Sequence, residues 1–308
     1  MREHASTVFG EMSALATSTG SINLGQGFPD TDGPELVKDA AVRAIREGRG
    51  NQYPPAHGLP ELRTAIAEHQ RRFYGIEIDP VTDVVVATGA SECIAAALLA
   101  LVEDGDEVVM FAPWFDLYAA AVSLAGATRV EVALTPGTFR PDADALRAAI
   151  TPRTRLLLLN SPHNPTGVVF TRAELEAIAT VVAEHDLWVI SDEAYEHLVF
   201  SGSQHIPFST LPGMAERTVT IGSAGKSLSM TGWKVGWATG PGDLVAAVRV
   251  ARQHLSYVSS GPFQWAVVEG LALPDSYWTS FRDGLERRRD LLCDGLAGLG
   301  LPVTVPQG

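Results

Sequence analysis

The sequence predicts an α/β fold in which helices cover both faces of a mostly parallel sheet. Three observations carry this. Short, unbroken apolar runs recur from about residue 80, helix-length segments separate them, and turn residues close each run. VVVAT (84–88) reads as a buried strand, and Ser91–Val102 as the following helix, which stops at Gly105. EVVMF (107–111) is the next strand, with a helix near Asp116–Ala125. RLLLLN (155–160) is a third strand. Thr171 then opens a helix as N-cap, with Glu174 three residues on to complete a capping box. LWVIS (187–191), RTVTI (217–221) and VGWAT (235–239) complete the strands. From Asp243 the pattern is helical, broken around Ser259–Pro262 and again at Pro274, and the final LPVTVPQG reads as the approach to a strand.

Composition narrows the function. The chain has 308 residues, 46% of them hydrophobic, which is ample for a core of one large or two modest domains. Its 23 basic and 36 acidic residues give a net charge of −13, which repels phosphate backbones and anionic lipid and argues against nucleic-acid or membrane partners. Cys93 and Cys293 stand far apart with no metal-ligand spacing, so a reducing, cytoplasmic setting is expected and no structural zinc or other metal site. No secretory signal or membrane-length apolar run is expected.

Only three of the basic residues are lysine, at Lys38, Lys226 and Lys234. Against that arginine bias, a retained lysine suggests chemistry that needs an amine able to lose its proton. In open α/β sheets ligands bind beyond the carboxyl ends of the strands, so the residues following each strand matter most. They are Gly89-Ala90-Ser91-Glu92, then Trp114-Phe115-Asp116, then the run Ser161 to Gly167 containing Asn164. After the later strands come Asp192-Glu193-Ala194-Tyr195 and Gly222 to Lys226, with Ser223 between them. Each has a structural reading as well. The Gly89 segment could be a turn with a Ser cap, Trp114-Phe115 core, Asn164-Pro165 a turn, Asp192 a helix cap, Tyr195 packing and Lys226 a solvated side chain.

Two phosphate motifs fail. A Walker A loop needs a glycine with four residues between it and Gly225, and Thr220 stands there. Gly25-Gln26-Gly27-Phe28-Pro29-Asp30 lacks the third glycine of a dinucleotide fingerprint, and Pro29 suits no such helix start. Pyridoxal 5′-phosphate (PLP) would use the whole set. Its aldehyde suits a lysine, its ring nitrogen a carboxylate, its phenolic oxygen Asn and Tyr donors, and its phosphate a helix N-terminus.

The stretches INLGQGFPD (22–30), NQYPPAHGLPELR (51–63), SPHNPTG (161–167), SDEAYEHLVF (191–200) and SAGKSLSMTGWKVGW (223–237) carry a family resemblance. The chain resembles the class I/II aminotransferases, PLP enzymes of fold type I. Within them it is most similar to the kynurenine/glutamine transaminase branch and to actinobacterial N-succinyldiaminopimelate aminotransferases. The resemblance implies that Lys226 binds the aldehyde and shuttles the substrate proton, and that Asp192 pairs with the ring nitrogen. It implies that Asn164 and Tyr195 hold the phenolic oxygen and that Phe115 stacks on the ring. Ala90, Ser91, Ser223 and Lys234 would hold the phosphate. Gly27 and Asn164 would meet the substrate, and Tyr53 would reach the site of a neighbouring subunit in a homodimer.

The implied organisation is an N-terminal arm (1–30), a large PLP-binding domain (31–273) and the start of a small domain (274–308). The small domain is expected to be truncated, because the arginine that clamps the substrate α-carboxylate in this family has no counterpart here. The expected activity is ping-pong transfer from an L-amino acid to a 2-oxo acid, with 2-oxoglutarate and glutamate as one pair. Alternatives are a kynurenine/glutamine-type transaminase or cysteine-conjugate β-lyase, a PLP-binding transcription regulator and an inactive PLP-binding protein.

Overall fold

The computed structural model describes residues 8–25, 27, 29 and 31–308. Three helices lead in: α1 (Val8–Thr19), α2 (Glu35–Arg46) and α3 (Pro60–Tyr74). The body follows in the order β1 (Val84–Thr88), α4 (Gly89–Leu101), β2 (Glu107–Ala112), α5 (Asp116–Leu124), β3 (Thr128–Ala133), α6 (Ala143–Ala149) and β4 (Thr154–Asn160). It continues with α7 (Arg172–Glu184), β5 (Trp188–Asp192), β6 (Thr218–Ser223), α8 (Ala224–Ser227) and β7 (Val235–Thr239). Helices α9 (Gly242–Leu255), α10 (Gly261–Leu271) and α11 (Asp275–Gly298) close the chain.

The strands form one sheet in the order β1-β7-β6-β5-β4-β2-β3. Neighbours from β6 through β5 and β4 to β2 and β3 are parallel, whereas β7 runs antiparallel to both β1 and β6. Strands β1, β2, β4, β5 and β6 therefore end at one common edge, and β7 begins there. One face of the sheet packs α4, α5 and α9 through Ile94, Leu98, Val122, Val245 and Val248. The other buries Leu146, Leu175, Ile178 and Val182 of α6 and α7. A third cluster joins α2, α3 and α10 to β1 and β7 through Val37, Leu62, Ile66 and Val267. Covered on both faces, the central strands need no polar alternation, which is why they read as continuous apolar runs.

The structure moves some expected boundaries. Strand β3 escapes a search for apolar runs because TRVEVA is an edge strand with Arg129 and Glu131 paired on its surface at 2.6 Å. Helix α4 begins at Gly89 rather than Ser91, so Ser91 is a first-turn residue and not a cap. Asp192 is the last residue of β5, no helix follows it, and it caps none. Lys226 sits on the one-turn helix α8, and residues 301–308 are coil. The capping box at Thr171 and Glu174 is present as expected. No described helix is long and apolar enough to cross a membrane.

Beneath the loop that follows β5, His69 of α3 meets His197 with their Nε2 atoms 2.7 Å apart, and Trp278 stacks on His197 at 4.1 Å. Glu196 completes a group whose ligand atoms lie within 4.8 Å of one another. Two nitrogens sharing a tetrahedral ion would stand about 3.3 Å apart, so the shorter contact is a hydrogen bond between neutral rings. His69 is 2% exposed, and burial pushes its pKa down, with Glu196 opposing and Arg72 adding to the shift. Burial, with His69, His205 and Arg72 nearby, also lowers His197. Both rings stay neutral when folded and take up protons when released, so stability is full above about pH 6.5 and falls as pH drops below it. Thermal melting at pH 7.5 and pH 5 is expected to show the loss. A chain carrying both His69→Phe and His197→Phe should show a flatter slope, and an unchanged slope would remove the pair from this role.

Candidate active site

The reversed strand assembles the positive end of the site. Register pairs Thr88 with Val235 and Ser223 with Gly236, so Lys234, just before β7, lies beside the start of α4 and the end of β6. Its Nζ is 3.2 Å from where a Cβ on Gly89 would sit. A Cβ on Gly236 would lie 2.5 Å from the amide nitrogen of Ala90, so only glycine lets β7 pass this close to the helix. No side chain caps α4, which leaves first-turn amides of Ala90 and Ser91 at the cavity wall with the helix dipole behind them. The Ser223 hydroxyl accepts from Gly225 N–H at 3.1 Å and keeps its own hydrogen to donate. Amides, hydroxyl and ammonium converge on a place shaped for a phosphate.

The negative end is Asp192, 5% exposed at the end of β5. Tyr118 O–H donates to its Oδ2 at 2.6 Å and Ala194 N–H to its Oδ1 at 3.2 Å. Burial raises the Asp192 pKa, while Tyr118, Ala194 and Lys226 work to lower it. Alongside, Asn160 Nδ2 donates to the Asp192 carbonyl at 2.8 Å and its Oδ1 accepts from Asn164 N–H at 2.7 Å. That bond ties the loop after β4 to the end of β5. Asn164 Nδ2 then lies 3.4 Å from the Tyr195 hydroxyl.

Lys226 stands between the two poles. Its Nζ donates to Gly27 O at 3.2 Å and lies 5.3 Å from the centre of the Tyr195 ring. Burial, with Lys234 adding, depresses its pKa against the pull of Asp192. An amine so placed is a better nucleophile and proton carrier than a free lysine.

One cavity of about 1050 Å³ joins the two ends of the site. Gly27, Ala90, Ser91, Phe115, Asn164, Asp192, Tyr195, Ser223, Lys226 and Lys234 are in its wall. Tyr53 is not. It is 80% exposed and packs edge-on to Tyr257 at 5.4 Å. The α11 side chains of Arg288, Arg289, Leu292 and Cys293 form the opposite wall. Tyr118 was not among the residues expected from the sequence. A tyrosine one turn after Phe115 in an apolar helix looks like packing, and only the fold brings it to Asp192.

The class I and II aminotransferase family matches residues 19–308. The chain belongs to that family. It is 53% identical to a probable N-succinyldiaminopimelate aminotransferase of Mycobacterium tuberculosis over 98% of this chain and 77% of that protein. It is 39% identical to a kynurenine–oxoglutarate transaminase of Dictyostelium discoideum over 98% of this chain and 74% of that one. The structure of N-succinyldiaminopimelate aminotransferase from M. tuberculosis superposes with a TM-score of 0.97 at 53% identity, covering 100% of this chain and 80% of the other. The enzymes of this family depend on PLP, and the site fits it. The Gly89–Gly236 cradle suits the phosphate, the buried carboxylate the ring nitrogen, and the low-pKa amine the aldehyde.

Two substitutions test this geometry. Tyr118→Phe removes the donor to Asp192 and is expected to lower kcat about tenfold or more while PLP stays bound, measured by steady-state kinetics. Gly236→Ala forces α4 away from β7 and should weaken PLP binding about tenfold or more, measured by fluorescence titration of the apoenzyme.

Proposed function

We propose that this aminotransferase takes its amino group from an extended, tricarboxylic L-amino acid of the N-succinyldiaminopimelate type and passes it to a 2-oxo acid, with glutamate and 2-oxoglutarate as one pair. The placement of Lys226 between Asp192 and the phosphate cradle carries the reaction. The 53% identity to the mycobacterial enzyme and a cavity of about 1050 Å³ support the donor. The kynurenine-type reading keeps a place because a relative so named matches across 98% of the chain.

PLP, when bound, supplies the electron sink and the carrier of the amino group. Asp192 would face the ring nitrogen and hold a proton there, and Tyr118 and the Ala194 amide oppose the rise in its pKa that burial imposes. Asn164 Nδ2 and the Tyr195 hydroxyl would donate to the phenolic oxygen, and Phe115, also in the cavity wall, would pack against the ring. Ala90, Ser91, Ser223 and Lys234 hold the phosphate. Lys226 Nζ would take the proton from the donor's Cα and carry it as an ammonium, a shuttle role that its depressed pKa favours. Gly27 and Asn164 orient the donor's carboxylate. The two half-reactions share one site, so the kinetics are ping-pong.

The enzyme works as a homodimer in which Tyr53 enters the partner's site, a reading that suits its exposure and its absence from this chain's cavity. Residues 31–273 form the cofactor-binding domain, and 1–30 with 274–308 belong to the smaller one. Two free cysteines and a net charge of −13 suit the cytoplasm.

Lys226→Ala should abolish transamination yet retain PLP through its phosphate. Near-parent turnover by that variant would remove Lys226 from its role. In the parent, L-glutamate should bleach the yellow band of bound PLP, and kcat/KM should be higher for N-succinyldiaminopimelate than for kynurenine; the reverse order would favour the kynurenine reading. Mixing inactive Lys226→Ala and Tyr53→Ala chains should restore about a quarter of the parent activity, because half the dimers then hold one intact site. No recovery would place Tyr53 outside the partner's site.

A further inference from the structure

Residues 302–308, PVTVPQG, run as coil over the place where the loops after β4 and β5 meet. Gln307 is bonded to both loops. Its N–H donates to Gly167 O at 2.7 Å, and its carbonyl accepts from Phe200 N–H at 2.8 Å. Its side-chain Oε1 accepts from Val169 N–H at 3.1 Å and from Arg140 Nη1 at 3.2 Å. Gly167 and Val169 belong to the loop that carries Asn164, and Phe200 lies five residues beyond Tyr195. The Asn164 and Tyr195 side chains meet at 3.4 Å, so one residue spans the bases of two loops whose tips must act on one atom.

The clip is anchored on both sides. Arg140 Nε donates to Glu174 Oε1 at 2.6 Å, at the capping box of α7, and its Nη1 donates to Val169 O at 3.2 Å. From α11, Arg289 Nη1 donates to Pro306 O at 3.0 Å and its Nη2 to Glu286 Oε1 at 3.1 Å. Glu286 in turn accepts from the Ser201 N–H at 3.0 Å and the Ser201 hydroxyl at 2.9 Å. The Arg140 and Arg289 bonds are half-buried and resist competition from water better than the exposed Ser201 pair.

We propose that Gln307 is a positioning residue for amino-group transfer, clipping the Asn164 loop to the Tyr195 loop and so fixing the spacing of the two donors to the cofactor's phenolic oxygen. This rests on the PLP roles given above for Asn164 and Tyr195. Two donors aimed at one oxygen tolerate little misplacement, because a small error in geometry slows the reaction out of proportion to the strength of any one hydrogen bond. Without the Gln307 side chain, Val169 N–H loses its acceptor and Arg140 loses one of its partners, while the backbone bonds of the tail remain.

The test uses the full PLP-loaded chain in three forms: parent, Gln307→Leu and Gln307→Glu. Leucine keeps the bulk without the acceptor, whereas glutamate keeps an oxygen in the same place. Gln307→Leu should speed amide hydrogen exchange at Val169 about fivefold. It should also raise the pH midpoint of the visible band of bound PLP, because weakened donors leave more negative charge on the phenolic oxygen to retain a nearby proton. Its kcat should fall with KM little changed, and Gln307→Glu should restore all three readouts. Parent-like exchange and midpoint in Gln307→Leu, or a Gln307→Glu chain as impaired as the leucine variant, would overturn the proposal. A failure of the transamination reading would appear in the parent chain, whereas a failure of the clip appears only between variants, and Val169 exchange needs no turnover.

Discussion

The site depends on one strand running against its neighbours. Had β7 followed the direction of the other strands, Lys234 would stand at the opposite edge of the sheet from Lys226 and Asp192. Reversal brings a cation to the start of α4 without a long excursion, and the absent Cβ of Gly236 lets the two backbones touch. Strand direction, helix dipole and ammonium then add their potentials in one small volume. The remaining strands deliver polar residues to the same edge because they are parallel, which is the general advantage of an open α/β sheet.

Across that volume the charges are ordered. Positive groups gather at α4, a buried carboxylate stands at the end of β5, and a lysine with a depressed pKa lies between them. A buried carboxylate is costly unless donors satisfy it. Tyr118 and the Ala194 amide donate to it, so the contacts that fix the direction of Asp192 also oppose the rise in pKa that burial imposes.

Much of this was legible in the sequence because the residues following each strand are local facts. The fold class and six of the seven strands follow from apolar runs, and Asp192, Asn164, Tyr195 and Lys226 follow from where those runs end. Strand β3 was not legible, because an edge strand carrying charged pairs gives no such run. Tyr118 was hidden for a different reason: its partner is 74 residues away and is met only after α5 packs on the sheet. The role proposed for Tyr53 in a partner's site rests on family resemblance alone, since nothing local marks an exposed tyrosine as belonging to another subunit.

The scarcity of lysine has a chemical consequence. Carbonyl compounds, including 2-oxo acids and free PLP, condense with unprotonated amines wherever they find them. Of the three lysines, Lys38 is locked as an ammonium by Asp32 and Glu35, each 2.7 Å away. Arginine, which carries the rest of the basic charge, offers no such amine. This chain therefore presents carbonyl reagents with few side-chain amines besides Lys226, a composition that limits adventitious modification.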